Sequence, residues 1–276
     1  MRVLITGASS GIGQALAMRL ADGSCSLHLG GRDPARLEAT AAACRERGAA
    51  VLTELLDVRD AAGMAAWIGG AGPLDLVIAN AGISPNAGEG ALETAEQVRA
   101  VMATNLDGVV NTVLPALEVM TGQPADPTGV RGRIAAIASL GAFVASPMSP
   151  AYCASKAAVD SWLVATAPAA RRCGILLTSV CPGFIRTPMV EQNRFPMPGL
   201  MDADRCARIA LAAIEAGRRR VAFPWFMYLG AQVASLLPAR FAEHVMVLRE
   251  KPAPSMPSEE RCPGSRAASF GTRPPG

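Results

Sequence analysis

Arg2-Val3-Leu4-Ile5-Thr6-Gly7-Ala8-Ser9-Ser10-Gly11-Ile12-Gly13 is the stretch whose reading decides the fold. Its opening, Arg2 to Thr6, is a short apolar, β-branched run of the kind found in a strand buried on both faces. Gly7 to Gly13 breaks the run, and Gln14-Ala15-Leu16-Ala17-Met18-Arg19-Leu20 then reads as a helix. Strand, glycine turn, helix is the layout in which main-chain N–H groups at a helix N-terminus hold a pyrophosphate. The three glycines would serve a tight turn, close approach of a phosphate to the backbone, and close packing of helix on strand. Their spacing is G-x-x-x-G-x-G rather than G-x-G-x-x-G, so the loop is related to the standard dinucleotide fingerprint without matching it. Two other readings fit the same residues. An ordinary glycine-rich turn would need no ligand, and Gly7-Ala8-Ser9-Ser10-Gly11 also satisfies G-x-S-x-G, the nucleophile elbow of α/β-hydrolases.

Outward from this stretch, strands and helices alternate. Cys25–Gly30 reads as a second strand, and Asp33 before Pro34 is a natural N-cap for a helix to about Arg47, ended by Gly48. Ala50–Leu56 is a third strand, Ala61–Ile68 a short helix, and Leu74–Ala79 a fourth strand that runs into Asn80-Ala81-Gly82. Two helices are expected over Leu92–Ala100 and Val101–Met120, with Asn105 inside the second. Strands over Arg133–Ala138 and Gly174–Val180 flank a long helix, Pro150–Arg172; a helix over Asp202–Ala216 and a last strand, Val221–Phe223, follow. Arg186–Leu200 reads as a loop over the site. The rhythm predicts an α/β fold, a doubly wound, Rossmann-like parallel sheet with helices on both faces and ligands at the carboxyl ends of its strands. One domain over 1–250 and a disordered Pro/Ser/Arg-rich tail over 251–276 are expected.

Composition excludes several classes. A net charge of +3 over 276 residues, with no long basic block, argues against a nucleic-acid partner. The densest cluster, Arg218-Arg219-Arg220, reads as the solvated end of a helix. Seven scattered cysteines without a C-x-x-C pair argue against zinc or a disulfide framework and for reduced thiols in the cytoplasm. No signal peptide is expected, since the fold starts at residue 2.

Tyr152 and Lys156 are four apart on a predicted helix and share one face. A cation beside a phenol favours the phenolate, which is useful for acid–base work near neutrality; a half-buried Tyr beside a snorkelling Lys is the bland alternative. Ser139 ends a predicted strand, where its hydroxyl could hold a substrate carbonyl or simply cap the strand. Asn105 is a poor helix former in mid-helix, which points to a role other than propensity or to a kink.

Together these residues resemble the short-chain dehydrogenase/reductase family over about residues 2–225. Thr6-Gly7-x-x-x-Gly11-Ile12-Gly13 looks like its cofactor turn, Asn80-Ala81-Gly82 like its turn after strand four, and Asp57 like the acid that contacts the adenine. Asn105, Ser139, Tyr152 and Lys156 fall on its catalytic tetrad. Pro182-Gly183 and Thr187 are similar to the segment bordering the nicotinamide, and Ala79 stands where many members have a first asparagine. The resemblance implies cofactor contacts at Gly7, Ser9, Ser10, Gly11, Ile12, Gly13, Arg32, Asp57, Val58, Asn80, Ala81, Gly82, Tyr152, Lys156, Pro182, Gly183 and Thr187. It implies hydride transfer at a carbonyl or secondary alcohol, with Tyr152 as acid or base, Lys156 lowering its pKa and binding the ribose, Ser139 on the oxygen, and Asn105 holding a relay water.

The second strand ends Gly30-Gly31-Arg32 with no carboxylate in place to hold both ribose hydroxyls, so NADP(H) is expected over NAD(H), with Arg32 on the 2′-phosphate. The hydrolase alternative weakens: its triad needs a His after a late acid, His28 lies in a core strand, and although His244 is late enough, Ser9 sits in the first βα turn, where a phosphate loop is the simpler account; a non-catalytic dinucleotide-binding sensor on the same fold remains open. Met189, Phe195, Met197 and Leu200 suggest an apolar substrate. The expected partners are that small molecule and further copies of the chain, as a homodimer or homotetramer. Segment 223–248 is apolar over only about four helical turns, short of the roughly 20 residues a span needs, and Pro238 interrupts it. It reads as a packed helix, an apolar lid, or a peripheral membrane contact through Trp225 and Tyr228.

Overall fold

The computed structural model describes residues 1–84, 92–190 and 197–235. Strand β1 (Arg2–Thr6) sends Val3 and Ile5 into one apolar core and Leu4 into a second, all three fully buried. At about 2 kcal/mol for each large side chain removed from water, the strand is held from both faces, hence its unbroken apolar run. Helix α1 (Gly11–Leu20), strand β2 (Ser26–Gly31), helix α2 (Pro34–Glu46), strand β3 (Ala50–Leu55), helix α3 (Ala61–Gly70) and strand β4 (Leu76–Ala79) follow. Asp33 caps α2 as expected, its carboxylate accepting from Arg36 N at 3.0 Å.

A continuous helical stretch, Ala95–Gly122, comes next: α4 (Ala95–Met102), a widened π turn (Ala103–Asp107) and α5 (Gly108–Gly122). It is long and apolar enough to cross a membrane by composition alone, but Val101, Val109, Val113, Ala116 and Met120 are buried within this domain. Strand β5 (Gly132–Ile137), a 3₁₀ turn (Leu140–Phe143), helix α6 (Pro150–Arg172) and strand β6 (Ile175–Pro182) lead to a short pair, β7 (Ile185–Arg186) and β8 (Met201–Asp202). Helix α7 (Ala203–Glu215), strand β9 (Arg220–Phe223) and helix α8 (Trp225–Ser235) complete the described chain.

The main sheet is parallel throughout, in the order β3-β2-β1-β4-β5-β6-β9. Residues of α1, α2 and α7 fill one core, and those of α3, α5 and α6 the other. The chain winds outward from β1 to β3, then returns to β4 on the other side of β1. The carboxyl ends of β1 and β4 therefore border the crevice of a doubly wound sheet.

Several boundaries differ from the sequence expectation. Helix α1 starts at Gly11 rather than Gln14. Strand β4 starts at Leu76, not Leu74, because the Gln123 side chain takes both main-chain groups of Leu74 (3.0 and 2.8 Å). Thr94 and Gln97 form a reciprocal cap that fixes the start of α4 at Ala95 rather than Leu92. The two helices expected across 92–120 are one stretch, with Asn105 in its π turn. Arg218 and Arg219 are exposed, but Arg220 is no solvated helix end: it lies in β9 and pairs with buried Asp160 at 2.6 Å. The end of segment 223–248, Phe195, His244 and the tail 251–276 lie outside the described residues.

Candidate active site

Side chains lace the ends of β1 and β4 together. Thr6 Oγ1 accepts from the main-chain N–H of Asn80 (3.0 Å) and Ala81 (3.2 Å), and Asn80 Nδ2 donates to the carbonyls of Thr6 and Gly7 (3.0 Å each). The approach is close enough that only glycine fits. Gly7 has φ +64°, and a Cβ there would lie 2.8 Å from Ala81 Cα; on Gly13 it would lie 2.2 Å from the Gly7 carbonyl oxygen. Ser10 N-caps α1 without a side-chain capping bond, and the first turn holds no acid. Ser9, Ser10, Gly11 and Ile12 line the cleft beyond, so the unpaired N–H groups at the start of α1 face it. A preset glycine cradle at a helix N-terminus is what a pyrophosphate requires, and the residues present fit a dinucleotide.

The cleft has a volume of about 310 Å³. On its far wall Ser139, at the end of β5, accepts from Gly141 N at 3.0 Å, and Tyr152 and Lys156 arrive from one face of α6. Lys156 is buried; its Nζ donates to the Ile137 carbonyl at 2.7 Å and lies 5.8 Å from the Tyr152 ring centroid. Loss of water lowers its pKa from 10.5 to about 8. The Tyr152 phenol moves opposite to the expected direction: burial raises its pKa, against a lowering pull from its hydrogen bond with Ser139. Desolvation is the largest of these effects and sets the direction.

Asn105 stands behind this wall, fully buried, and the π turn delivers its carboxamide to the chain leaving β4. Its Oδ1 accepts from Ile83 N (2.8 Å), while Nδ2 donates to the Ile83 carbonyl (2.9 Å) and to Ser155 Oγ (3.1 Å). Ser155 Oγ in turn donates to the Tyr152 carbonyl at 2.7 Å. Gly82 leaves room between them: a Cβ there would lie 3.2 Å from Asn105 Oδ1 and 3.4 Å from Lys156 Nζ.

The opposite end is rich in arginine. Arg32 and Arg36 line the cleft; Arg36 Nε pairs with Asp33 at 2.7 Å, and Arg32 lies 3.8 Å from Asp57 with its side chain more than half exposed. Asp57 is held by Arg59 at 2.7 and 2.9 Å, bonds that keep its carboxyl below the usual range. With Asp33 tied to its cap and Arg36, and Asp57 to Arg59, Arg32 has the least committed charge of the group.

A family model described as short chain dehydrogenase matches residues 1–197. The chain belongs to the short-chain dehydrogenase family. It is 32% identical over 239 residues to an uncharacterized oxidoreductase of Myxococcus xanthus, covering 85% of this chain and 92% of that protein. It is 37% identical over 209 residues to 2-(R)-hydroxypropyl-CoM dehydrogenase of Xanthobacter autotrophicus, covering 72% and 80%. The crystal structure of levodione reductase superposes with a TM-score of 0.70 at 29% identity, covering 80% of this chain and 94% of that one. Short-chain dehydrogenases use a nicotinamide dinucleotide, in keeping with the cradle described above.

In this short-chain dehydrogenase the expected residues converge. Gly7, Ser9 to Ile12, Arg32, Asp57, Val58, Asn80 to Gly82, Ser139, Tyr152, Lys156, Pro182, Gly183 and Thr187 all line the cleft, whereas Gly13 and Asn105 support it from behind. Sequence reasoning missed Ile83, Thr104 and Arg36, which line the cleft, and Ser155, which bonds Asn105. Arg36 lies in the first turn of α2, just past Arg32, and its nearness in sequence could have flagged it; nothing in the sequence marks Ile83. The hydrolase alternative finds no partner for Ser9 among the described residues, since His28 is buried in β2.

Proposed function

We propose that this chain reduces the carbonyl of an apolar small molecule, or oxidises the corresponding secondary alcohol, with NADP(H). The observation that carries the reading is the meeting of Tyr152, Ser139 and Lys156 on the wall opposite the glycine cradle. NADP(H) would supply or accept the hydride. Tyr152, whose phenol burial keeps protonated, donates its proton to the substrate oxygen in reduction. Ser139 gives that oxygen a preorganised donor where charge builds. Lys156 lies one turn beyond, on the same face, and serves the ribose and the proton's path. Asn105 holds Ile83 and, through Ser155, the Tyr152 backbone in register; both the oxygen and the nitrogen of its carboxamide are committed to those bonds.

The apolar substrate is supported by Ile83, Met189 and Val190, apolar side chains in the lining of the cleft. Preference for NADP(H) is supported by Arg32 and Arg36 and by the tied carboxylates of Asp33 and Asp57. The six described cysteines are free, five of them buried, which supports a reducing, cytoplasmic setting. The test is a panel of apolar ketones and alcohols followed through the cofactor absorbance, with parent and Tyr152→Phe side by side. Turnover by the parent, lost in the variant while NADPH still binds, is the expected result; tight NADPH binding with no turnover of any substrate makes the chain a sensor instead.

A further inference from the structure

Arg220 is unused by the chemistry proposed above, yet it touches three elements at the substrate end. Its Nε and one terminal nitrogen clasp the two oxygens of Asp160 at 2.9 and 2.6 Å. Asp160 is one helical turn beyond Lys156 on α6, with a side chain only 5% exposed, and also accepts from Ser179 Oγ at 2.7 Å. The Arg220 guanidinium lies 5.3 Å from the Phe143 ring centroid, in the 3₁₀ turn that follows Ser139. Phe143 meets Tyr228 of α8 edge to face at 5.1 Å, and the Tyr228 hydroxyl interacts with Arg220 and accepts from Gln232 at 2.8 Å. Simple neutralisation of Asp160 would not need this arrangement. The fork of a guanidinium serves the carboxylate while its remaining contacts reach the turn and α8, which a lysine cannot do.

We propose that Arg220 is a positioning residue for the substrate, fixing α8 and the turn after Ser139 against the helix that carries Tyr152 and Lys156. Gly183, which lines the cleft, depends on this placement, because Pro224 and Met227 at the start of α8 and Leu140 of the turn all pack against it. The partners of Arg220 (Asp160, Phe143 and Tyr228) lie outside the glycine cradle, so among the described residues the phosphate-binding end of the cleft is untouched by this arginine. The inference takes the role of the cleft from the proposed function.

The test uses the full-length protein. Asp160→Asn with Arg220→Gln replaces the ion pair by an amide pair and leaves no unpaired buried charge; Arg220→Lys keeps the charge and loses the fork. Both variants are expected to hold NADPH affinity within about twofold, raise substrate KM about tenfold, and change kcat less than about threefold. Hydrogen exchange is expected to quicken at the amides of 140–143 and 225–235 and to stay unchanged in β1 and β4. Parental KM and parental exchange in both variants overturn the inference, as does a loss shared equally by NADPH affinity, kcat and KM. If the double variant does not fold, Arg220→Lys decides alone. If the parent turns over no carbonyl, the proposed function fails and the exchange pattern alone decides for or against Arg220.

Discussion

Lys156 is held in a condition that costs the fold stability. Its folded pKa of about 8 lies below the ordinary 10.5, so between those values the unfolded chain binds more protons and stability rises with pH. Below pH 8 the whole cost is present. Lys156→Met is therefore expected to melt higher than the parent at pH 7, by on the order of 1 kcal/mol, while losing turnover. The advantage should shrink as pH rises from 8 to 10.5. The difference between parent and variant in thermal melts is the quantity to follow, because the buried thiols of Cys181 and Cys206, pushed up to about 12, act in the opposite sense above pH 9. Arg32→Ala should weaken NADPH at least about tenfold, the worth of one charge-assisted bond to a phosphate, and leave NADH unchanged. Fluorescence titration with both cofactors checks this, and equal losses for the two remove Arg32 from the preference. At this scale the sequence was legible where chemistry demands a residue type at a fixed spacing, as with Tyr152 and Lys156. The direction of the Tyr152 shift was not, because it depends on how much water the fold excludes.

Among elements, those set by apolar period and caps were legible, and those set by distant side chains were not. Asp33 and Asp60 cap α2 and α3 from adjacent residues, so local sequence suffices. The start of β4 depends on Gln123, roughly fifty residues away, and the π turn at Asn105 follows from an anchor on Ile83 that no periodicity records. Helix α8 was legible only in part. Met227 and Tyr228 pack against the domain, while Trp225, Phe226, Leu229 and Val233 are exposed, three of them at four-residue intervals along one side. We propose that this outward stripe serves the peripheral membrane contact, one of the three readings of segment 223–248. Intact protein is expected to float with lipid vesicles and Trp225→Ser with Leu229→Ser to be released from them, with an unchanged melting temperature because both side chains are exposed. Intact protein that stays wholly in the soluble fraction eliminates the contact.

For the whole molecule, the alternation of strands and helices made the doubly wound sheet legible, since right-handed crossovers leave few other ways to bury both faces. The closing of the sheet by β9 was legible as well. What β9 carries inward was not: Arg220 reads as one of three arginines until Asp160, sixty residues earlier, is seen beside it. The cleft joins β1, β4, β5, α6 and the β7 region, so a ligand that fills it bears on the whole cooperative unit. NADPH at a hundred times its dissociation constant is expected to stabilise the protein by about 2.7 kcal/mol, read as a rise in melting temperature. No rise at any concentration removes the dinucleotide from this cleft.

The bonds from Thr6 and Asn80 that set the glycine cradle span 73 to 75 residues of chain. Such contacts form only after a long loop has closed, whereas the helices need only their neighbours. A newly made chain therefore acquires most of its secondary structure before it owns a binding site. The cradle comes into being when β4 finds β1, and until that moment no dinucleotide can help the chain fold.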